Sequence, residues 1–180
     1  MTVYKMYGAV SKTEGQALFY ENALIEATYF SSSGGRTEDA QAVWGAAVPY
    51  LQSVESKEGE MPYKKEIAKD DFCEALGLTK GDVHIETSSY TKGGGIDKVY
   101  INGKLFTGTQ LRKSLKLRST QITFTVLDDS VQIVTKGYGH RVGMSQYGAD
   151  AMAALGSDYA EILLHYYSGI TIQPYGMVEN

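Results

Sequence analysis

Apolar and polar positions alternate along much of the first two thirds of the chain, and their period lengthens toward the C-terminus. Gln16 to Tyr20 and Ala23 to Phe30 are β-prone runs joined by Glu21-Asn22, which predicts a hairpin. Ser31 to Arg36 is too rich in Ser and Gly for either regular element. Thr37 to Trp44 predicts a short helix with Thr37 as N-cap and acidic residues in its first turn. Val48 to Val54 returns to extended chain, and the polar stretch Ser56 to Glu60 predicts a loop. Tyr63 to Leu76 carries Ile67, Phe72, Ala75 and Leu76 among Lys and Asp, the spacing of an amphipathic helix closed by Gly77.

From Asp82 to Thr135 the pattern is β. Val83, Ile85 and Thr87 alternate, and Asn102-Gly103 between Val99–Ile101 and Lys104–Phe106 is a strong hairpin signal. Gly108 to Leu115 predicts a short helix. Gln121 to Val126 and Val131 to Thr135 flank Asp128-Asp129-Ser130 as a second hairpin. After Gly139 the sequence turns helical, over Ser145 to Leu155 and then Tyr159 to Tyr167, with Gly156 and Gly169 as breaks. With no repeat and no linker, residues 1–180 predict one α+β domain, mainly antiparallel strands closed by two C-terminal helices.

Composition narrows the function. The formal net charge is −4, which argues against a nucleic-acid backbone as main partner. A single cysteine, Cys73, excludes an internal disulfide framework, and neither HExxH nor CxxC occurs, so no metal or cofactor is expected. No apolar run is long enough to span a membrane. The 20 glycines and 14 tyrosines suit tight backbone approaches and a polar cleft that stacks on rings.

Two stretches could carry chemistry. Gly139-His140-Arg141-Val142-Gly143-Met144-Ser145-Gln146-Tyr147-Gly148 places glycines around polar side chains at a helix start, where free N–H groups meet a ligand. The same pattern also describes a tightly packed turn with a structural His140. Ser31-Ser32-Ser33-Gly34-Gly35-Arg36-Thr37-Glu38 offers hydroxyls, a guanidinium and a carboxylate to a polar ligand, or else is a solvated loop before a capped helix. His84 and His165 read as structural. Gly93-Gly94-Gly95 lacks the Lys-Ser/Thr of a phosphate loop and reads as a turn.

Together, Tyr29 to Gly45 followed by Val48 to Val54, and Gly139 to Ile172 with its closing Ile-Leu-x-His-Tyr-Tyr-x-Gly, resemble the stage II sporulation protein D family. That family includes the amidase-enhancer proteins of bacterial cell walls, and the resemblance runs from about Ala9 to Ile172, most of the chain. It implies a peptidoglycan lytic transglycosylase of forespore engulfment. Such an enzyme cuts glycan strands stripped of stem peptides and leaves 1,6-anhydro-muramyl ends. A partner amidase, other engulfment-complex proteins, an extracytoplasmic location facing the wall and an N-terminal membrane anchor are implied with it. One acid/base carboxyl suffices: it protonates the glycosidic oxygen, and the muramyl C6 hydroxyl attacks C1 of its own sugar. The alternative is a non-catalytic module that grips glycan or activates an amidase.

On this resemblance Ser31, Ser32, Ser33, Arg36, Glu38, His140, Ser145, Gln146 and Tyr147 line the substrate cleft. The Ser, Gln and Arg groups would hydrogen-bond N-acetyl and lactyl groups, and Tyr147 would pack on a sugar face. There are two departures. Arg141 stands where the family usually has Gly. The family's acid sits in a Val-Pro-x-Glu-Met-Pro segment upstream of an Ala-rich helix, and neither occurs before Ala9. Glu60-Met61-Pro62 copies the tripeptide in a different context, so the expectation is a chain lacking that N-terminal segment, with its catalytic residue unassigned.

Overall fold

The computed structural model describes residues 3–175, the side chains of 3–6, 87 and 88 aside. The chain builds a first region, leaves it to build a second, and returns. The first region starts with helix α1 (Val3–Lys12) and strands β1 (Gln16–Tyr20), β2 (Ala23–Leu24) and β3 (Tyr29–Phe30), followed by helix α2 (Ala40–Trp44). The excursion comprises β4 (Tyr63–Ala68), α3 (Lys69–Ala75), β5 (Ile85–Tyr90), β6 (Ile96–Ile101), β7 (Lys104–Phe106), α4 (Gly108–Ser114), β8 (Gln121–Val126) and β9 (Ser130–Lys136). The return adds β10 (Met144–Ser145), α5 (Gln146–Ala154), α6 (Tyr159–Tyr166) and β11 (Thr171–Pro174).

This is an α+β fold with more strand segments than helices, in open, mainly antiparallel sheets ordered β11-β1-β2, β4-β9-β8 and β5-β6-β7. The exception is the short parallel pair of β3 and β10, with Phe30 opposite Ser145. That pair lays the two motif stretches side by side.

The buried apolar residues form two separate clusters. The excursion encloses Phe72, Cys73, Leu111, Leu115, Val131, Ile133 and their neighbours between its two sheets and helices α3 and α4. The regular alternation of β9 drives this: Val131 and Ile133 are fully buried, and their sequence neighbours are only partly so. The first region has a smaller cluster of Ala40, Leu51, Val142, Ile162, Tyr166, Tyr167 and Ile170. Two of those seven carry hydroxyls that must find partners in the interior.

Both predicted hairpins of the excursion are present, the first turning on Asn102 and Gly103, whose positive φ values fit a two-residue turn. Helix α4 forms with a full capping box between Thr107 and Gln110. Three expectations change. Tyr63–Ala68 is a strand, because Tyr63, Lys65 and Ile67 alternate inward against β9, and only Lys69–Ala75 is helical. The run Ala23–Phe30 breaks after Leu24; β3 leaves the hairpin to pair with β10. Helix α2 starts at Ala40 behind Asp39, not behind Thr37. Thr37 and Glu38 remain extended because the interior uses both: Thr37 Oγ1 accepts from Val54 N at 2.8 Å, and Glu38 N donates to the Arg141 carbonyl at 2.6 Å.

Candidate functional site

The two motif stretches meet where the two regions join. The Ser31–Glu38 stretch runs against the Gly137–Ser145 stretch through paired bonds between Ser32 and Tyr138, a bridge from Glu38 to Val142, and the β3–β10 pair. Beneath this seam lies a buried ion pair. Arg141 Nη1 stands 3.1 Å from Glu38 Oε1, and both side chains are essentially inaccessible to solvent.

Every edge of the Arg141 guanidinium is used. Nε donates to the Ser33 carbonyl at 2.7 Å, and Nη2 donates to the carbonyls of Arg36 at 2.8 Å and Gly93 at 2.6 Å. Burial pulls its pKa below the ordinary arginine value, while the Glu38 and Glu58 carboxylates pull it back up. An arginine has far to fall before it loses its proton, so the cation holds. Arg141 also stands in the left-handed backbone region. Its φ is +67°, a conformation glycine adopts freely and other residues at a cost. The interior contacts of a planar five-donor side chain offset that cost here.

Glu38 is gripped from the other side by the turn between β5 and β6. Thr91 Oγ1 and Gly95 N donate to Oε1 at 2.8 and 3.1 Å. A Cβ on Gly93 or Gly95 would overlap the Glu38 carboxylate. The three-glycine run is therefore a cradle for a buried charge, a role its sequence context did not reveal.

A second carboxylate, Glu58, was missed by sequence reasoning, because it lies in a polar stretch that reads as plain loop. Its Oε1 accepts from Ser33 N and, at 2.9 Å, from Ser145 Oγ; its Oε2 accepts from Ser56 Oγ at 2.6 Å. Ser56 continues to the Tyr166 hydroxyl at 2.6 Å. Ser145 also caps α5, accepting from Gly148 N at 3.2 Å. Glu58 thereby pins the serine loop to the start of that helix, where a negative charge is favoured. Burial raises the Tyr166 pKa, and it pushes Tyr167 up to about 12, so Tyr167 keeps its proton and donates it to the Thr28 carbonyl at 2.8 Å.

The sequence-predicted residues thus divide. Ser32, Ser33, Glu38 and Ser145 are buried and form the frame. Ser31 contributes its carbonyl, which accepts from Tyr147 N at 3.1 Å and Ser145 Oγ at 3.3 Å. Arg36 is half-buried, its Nε on Ser53 Oγ at 3.1 Å. Gln146 and Tyr147 stand exposed on the first turn of α5, and His140 is half-exposed. His140 packs between Phe30 and Trp44, with ring centroids 5.6 and 5.5 Å away. Its Nδ1 accepts from Val142 N at 3.2 Å, which assigns the proton to Nε2. Burial lowers its pKa, helped by the Arg112 charge and opposed by the Tyr29 carbonyl. The exposed rings of Tyr29, Trp44, Tyr138 and Tyr147 leave a polar, aromatic surface over the seam.

Glu60 sits apart from this frame, exposed and paired with Lys136 at 2.6 Å. Among the described residues no three His, Cys, Asp or Glu side chains gather as a metal site. A cleft of about 500 Å³ lies on the excursion beside Asp70, Asp82, Asp128 and Asp129 and contains no motif residue. The motif surface above the ion pair, where two independent stretches converge, is the better candidate.

These features define an α+β protein with two cores, whose two glycine-rich loops are locked together by a buried Arg–Glu pair and a bridging carboxylate. Comparison places it. The chain is 40% identical over 174 residues to stage II sporulation protein D of Bacillus amyloliquefaciens, covering 93% of this chain and 51% of that protein. It is 37% identical over the same length to stage II sporulation protein D of Bacillus subtilis (strain 168). The amidase enhancer of that strain is more distant, 27% identical over 244 residues. No family model matches the chain. The chain belongs to the stage II sporulation protein D family, and it spans about half the length of those sporulation proteins.

Proposed function

We propose that this chain is the strand-gripping part of a sporulation cell-wall protein, and that the whole protein is a lytic transglycosylase acting on peptide-free glycan. The observation that carries the reading is the convergence of the two family motifs on one face, fixed from below by Arg141–Glu38 and Glu58. Such a frame holds Arg36, His140, Gln146 and Tyr147 in fixed relation, as orienting a flexible polymer for cleavage requires. Gln146 and Arg36 hydrogen-bond N-acetyl and lactyl oxygens, and Tyr147 lies against a sugar face. In this reading the protein works outside the cytoplasm, against the wall, beside a partner amidase of the engulfment machinery.

Glu38 does not serve as the proton donor, because it is ion-paired and sealed from solvent. A second reading follows from this and from the amidase-enhancer relative: a module that grips glycan or an amidase and cleaves nothing. Incubating the chain with peptide-free strands and weighing the soluble products by mass spectrometry separates the two. Anhydro-ended fragments support the enzyme, with the acid inside these residues. Co-sedimentation with the strands and no fragments supports the module. The absence of both binding and cleavage would overturn a glycan-directed role.

A further inference from the structure

The chain uses its arginines in two opposite ways. Arg141 is buried, with every edge of its guanidinium bonded. Arg112 and Arg118 stand at the surface beside the motif and are nearly unused. Arg112 spends only Nε, on the Arg118 carbonyl at 3.3 Å. Arg118 lies over the Tyr63 ring at 3.6 Å and within 5.7 Å of the Tyr138 ring, with no hydrogen bond from its guanidinium among the described residues. Neither is in an ion pair among the described residues, and Glu60, the acid on the loop before Tyr63, is taken by Lys136.

These cations are fixed to the motif. The Arg118 carbonyl accepts from Gly139 N at 2.9 Å, and the Arg112 charge is felt by His140. Next along the surface come His140 and Trp44, packed with their rings tilted at 49°. Two aromatic groups, Trp44 with His140 and Tyr63 with Tyr138, thus lie beside these two guanidinium groups. Tyr63 covers the Arg118 guanidinium at 3.6 Å, and its N–H donors have no protein partner among the described residues, so they remain available to a carboxylate through two parallel bonds.

We infer that Arg112 and Arg118 form a carboxylate-binding subsite for a ring-bearing anionic polymer. The inference rests on the glycan reading above, and it names what that reading leaves open: how the protein tells stripped strands from peptide-bearing ones. A muramyl unit without its stem peptide ends its lactyl group in a free carboxylate. With the peptide attached, the same carbon is a neutral amide. The rings take the sugar faces, and the arginines take the charge that only stripped units carry.

The test measures binding of the intact chain to two preparations of the same strands, peptide-free glycan as isolated and peptide-free glycan with its lactyl carboxylates amidated. The wild type is expected to bind the free-carboxylate strands about tenfold more tightly, the scale of one charge-assisted pair at a wet surface. Arg112→Gln/Arg118→Gln should erase that difference, so that the variant binds the two preparations equally. Arg112→Lys/Arg118→Lys should restore only part of it, because an ammonium lacks the two-bond fork. Equal wild-type binding of both preparations overturns the carboxylate subsite and leaves the glycan reading standing. Binding of neither overturns both. If the Gln pair instead loses binding to a phosphate-bearing wall polymer and keeps its preference among glycans, the subsite is assigned to the wrong anion and the inference falls.

Discussion

The two halves of the molecule are held together by different physics. The excursion from β4 to β9 is an apolar sandwich: long ladders, an alternating central strand and a core of Phe, Leu, Ile and Val. The region carrying the motifs has strands of two residues, isolated bridges and a small core with two tyrosines. Its loops are fixed by charge and hydrogen bonds. Apolar burial is non-directional and tolerates loss of a methyl group. A buried ion pair is directional, and losing one partner strands the other. The motif region therefore trades tolerance for position, which a site that must hold several polar groups in register requires.

Breaking each region by one side chain should expose that difference most strongly. Arg141→Leu leaves Glu38 buried without its cation and should cost about 3–5 kcal/mol. Ile133→Val, a deletion in the sheet core, should cost about 1 kcal/mol. Urea melts give the totals, and hydrogen exchange gives the location. In Arg141→Leu the amides of residues 31–38 and 140–145 should lose protection first, with β8 and β9 still closed. The double change Glu38→Gln/Arg141→Met should recover part of the loss, since no lone charge remains. An Arg141→Leu protein no less stable than Ile133→Val would end the distinction.

The next effect is steric. A methyl on Gly148 would overlap the Tyr166 hydroxyl, Ser56 Oγ and the Glu58 carboxylate, three groups already committed to one another. Gly148→Ala should cost about 1–3 kcal/mol and separate Glu58 from Ser145, loosening the start of α5. Gly103→Ala offers a contrast within the excursion. No atom lies within 4 Å of a Cβ there, so only its left-handed backbone is strained, at about 1 kcal/mol. A thermal melt that ranks Gly103→Ala as the more damaging would contradict the tight packing assigned to the motif region.

The excursion was the more legible half, for the same reason. Asn102-Gly103 and the alternation in Val131–Thr135 are local signals, and each names its element without reference to the rest of the chain. The error at Tyr63–Ala68 arose where strand and helix adjoin: Ile67 counts toward either period, and only pairing with β9 decides. In the motif region the fold depends on contacts far apart in sequence. Thr37 has the chemistry of an N-cap, but its hydroxyl serves Val54. Glu38 and Arg141 are separated by 103 positions, and no local pattern links them. Family resemblance marked both stretches but gave no sign that four of the nine chosen side chains are buried supports. Glu58 has no motif at all; its only clue is a carboxylate two residues after a serine.

The smallest effect concerns His140, where the two regions touch. The ring faces Phe30 from β3, Trp44 from α2 and the Arg112 charge from α4. Burial and that charge disfavour the imidazolium, so the folded pKa lies below the ordinary value of about 6.5. The unfolded chain therefore binds a proton first as the solution is acidified. The contribution of His140 to stability is complete above about pH 6.5 and is lost as pH falls through its depressed folded value. Comparing wild type with His140→Gln by urea denaturation from about pH 7 to about pH 5 isolates this loss, because other groups titrate alike in both. The wild type should weaken relative to the variant across that window, and Arg112→Gln should narrow the gap by raising the folded pKa. Parallel stability curves for wild type and His140→Gln would mean that the ring is as well solvated folded as unfolded, and that Trp44 and Arg112 do not close over it in solution.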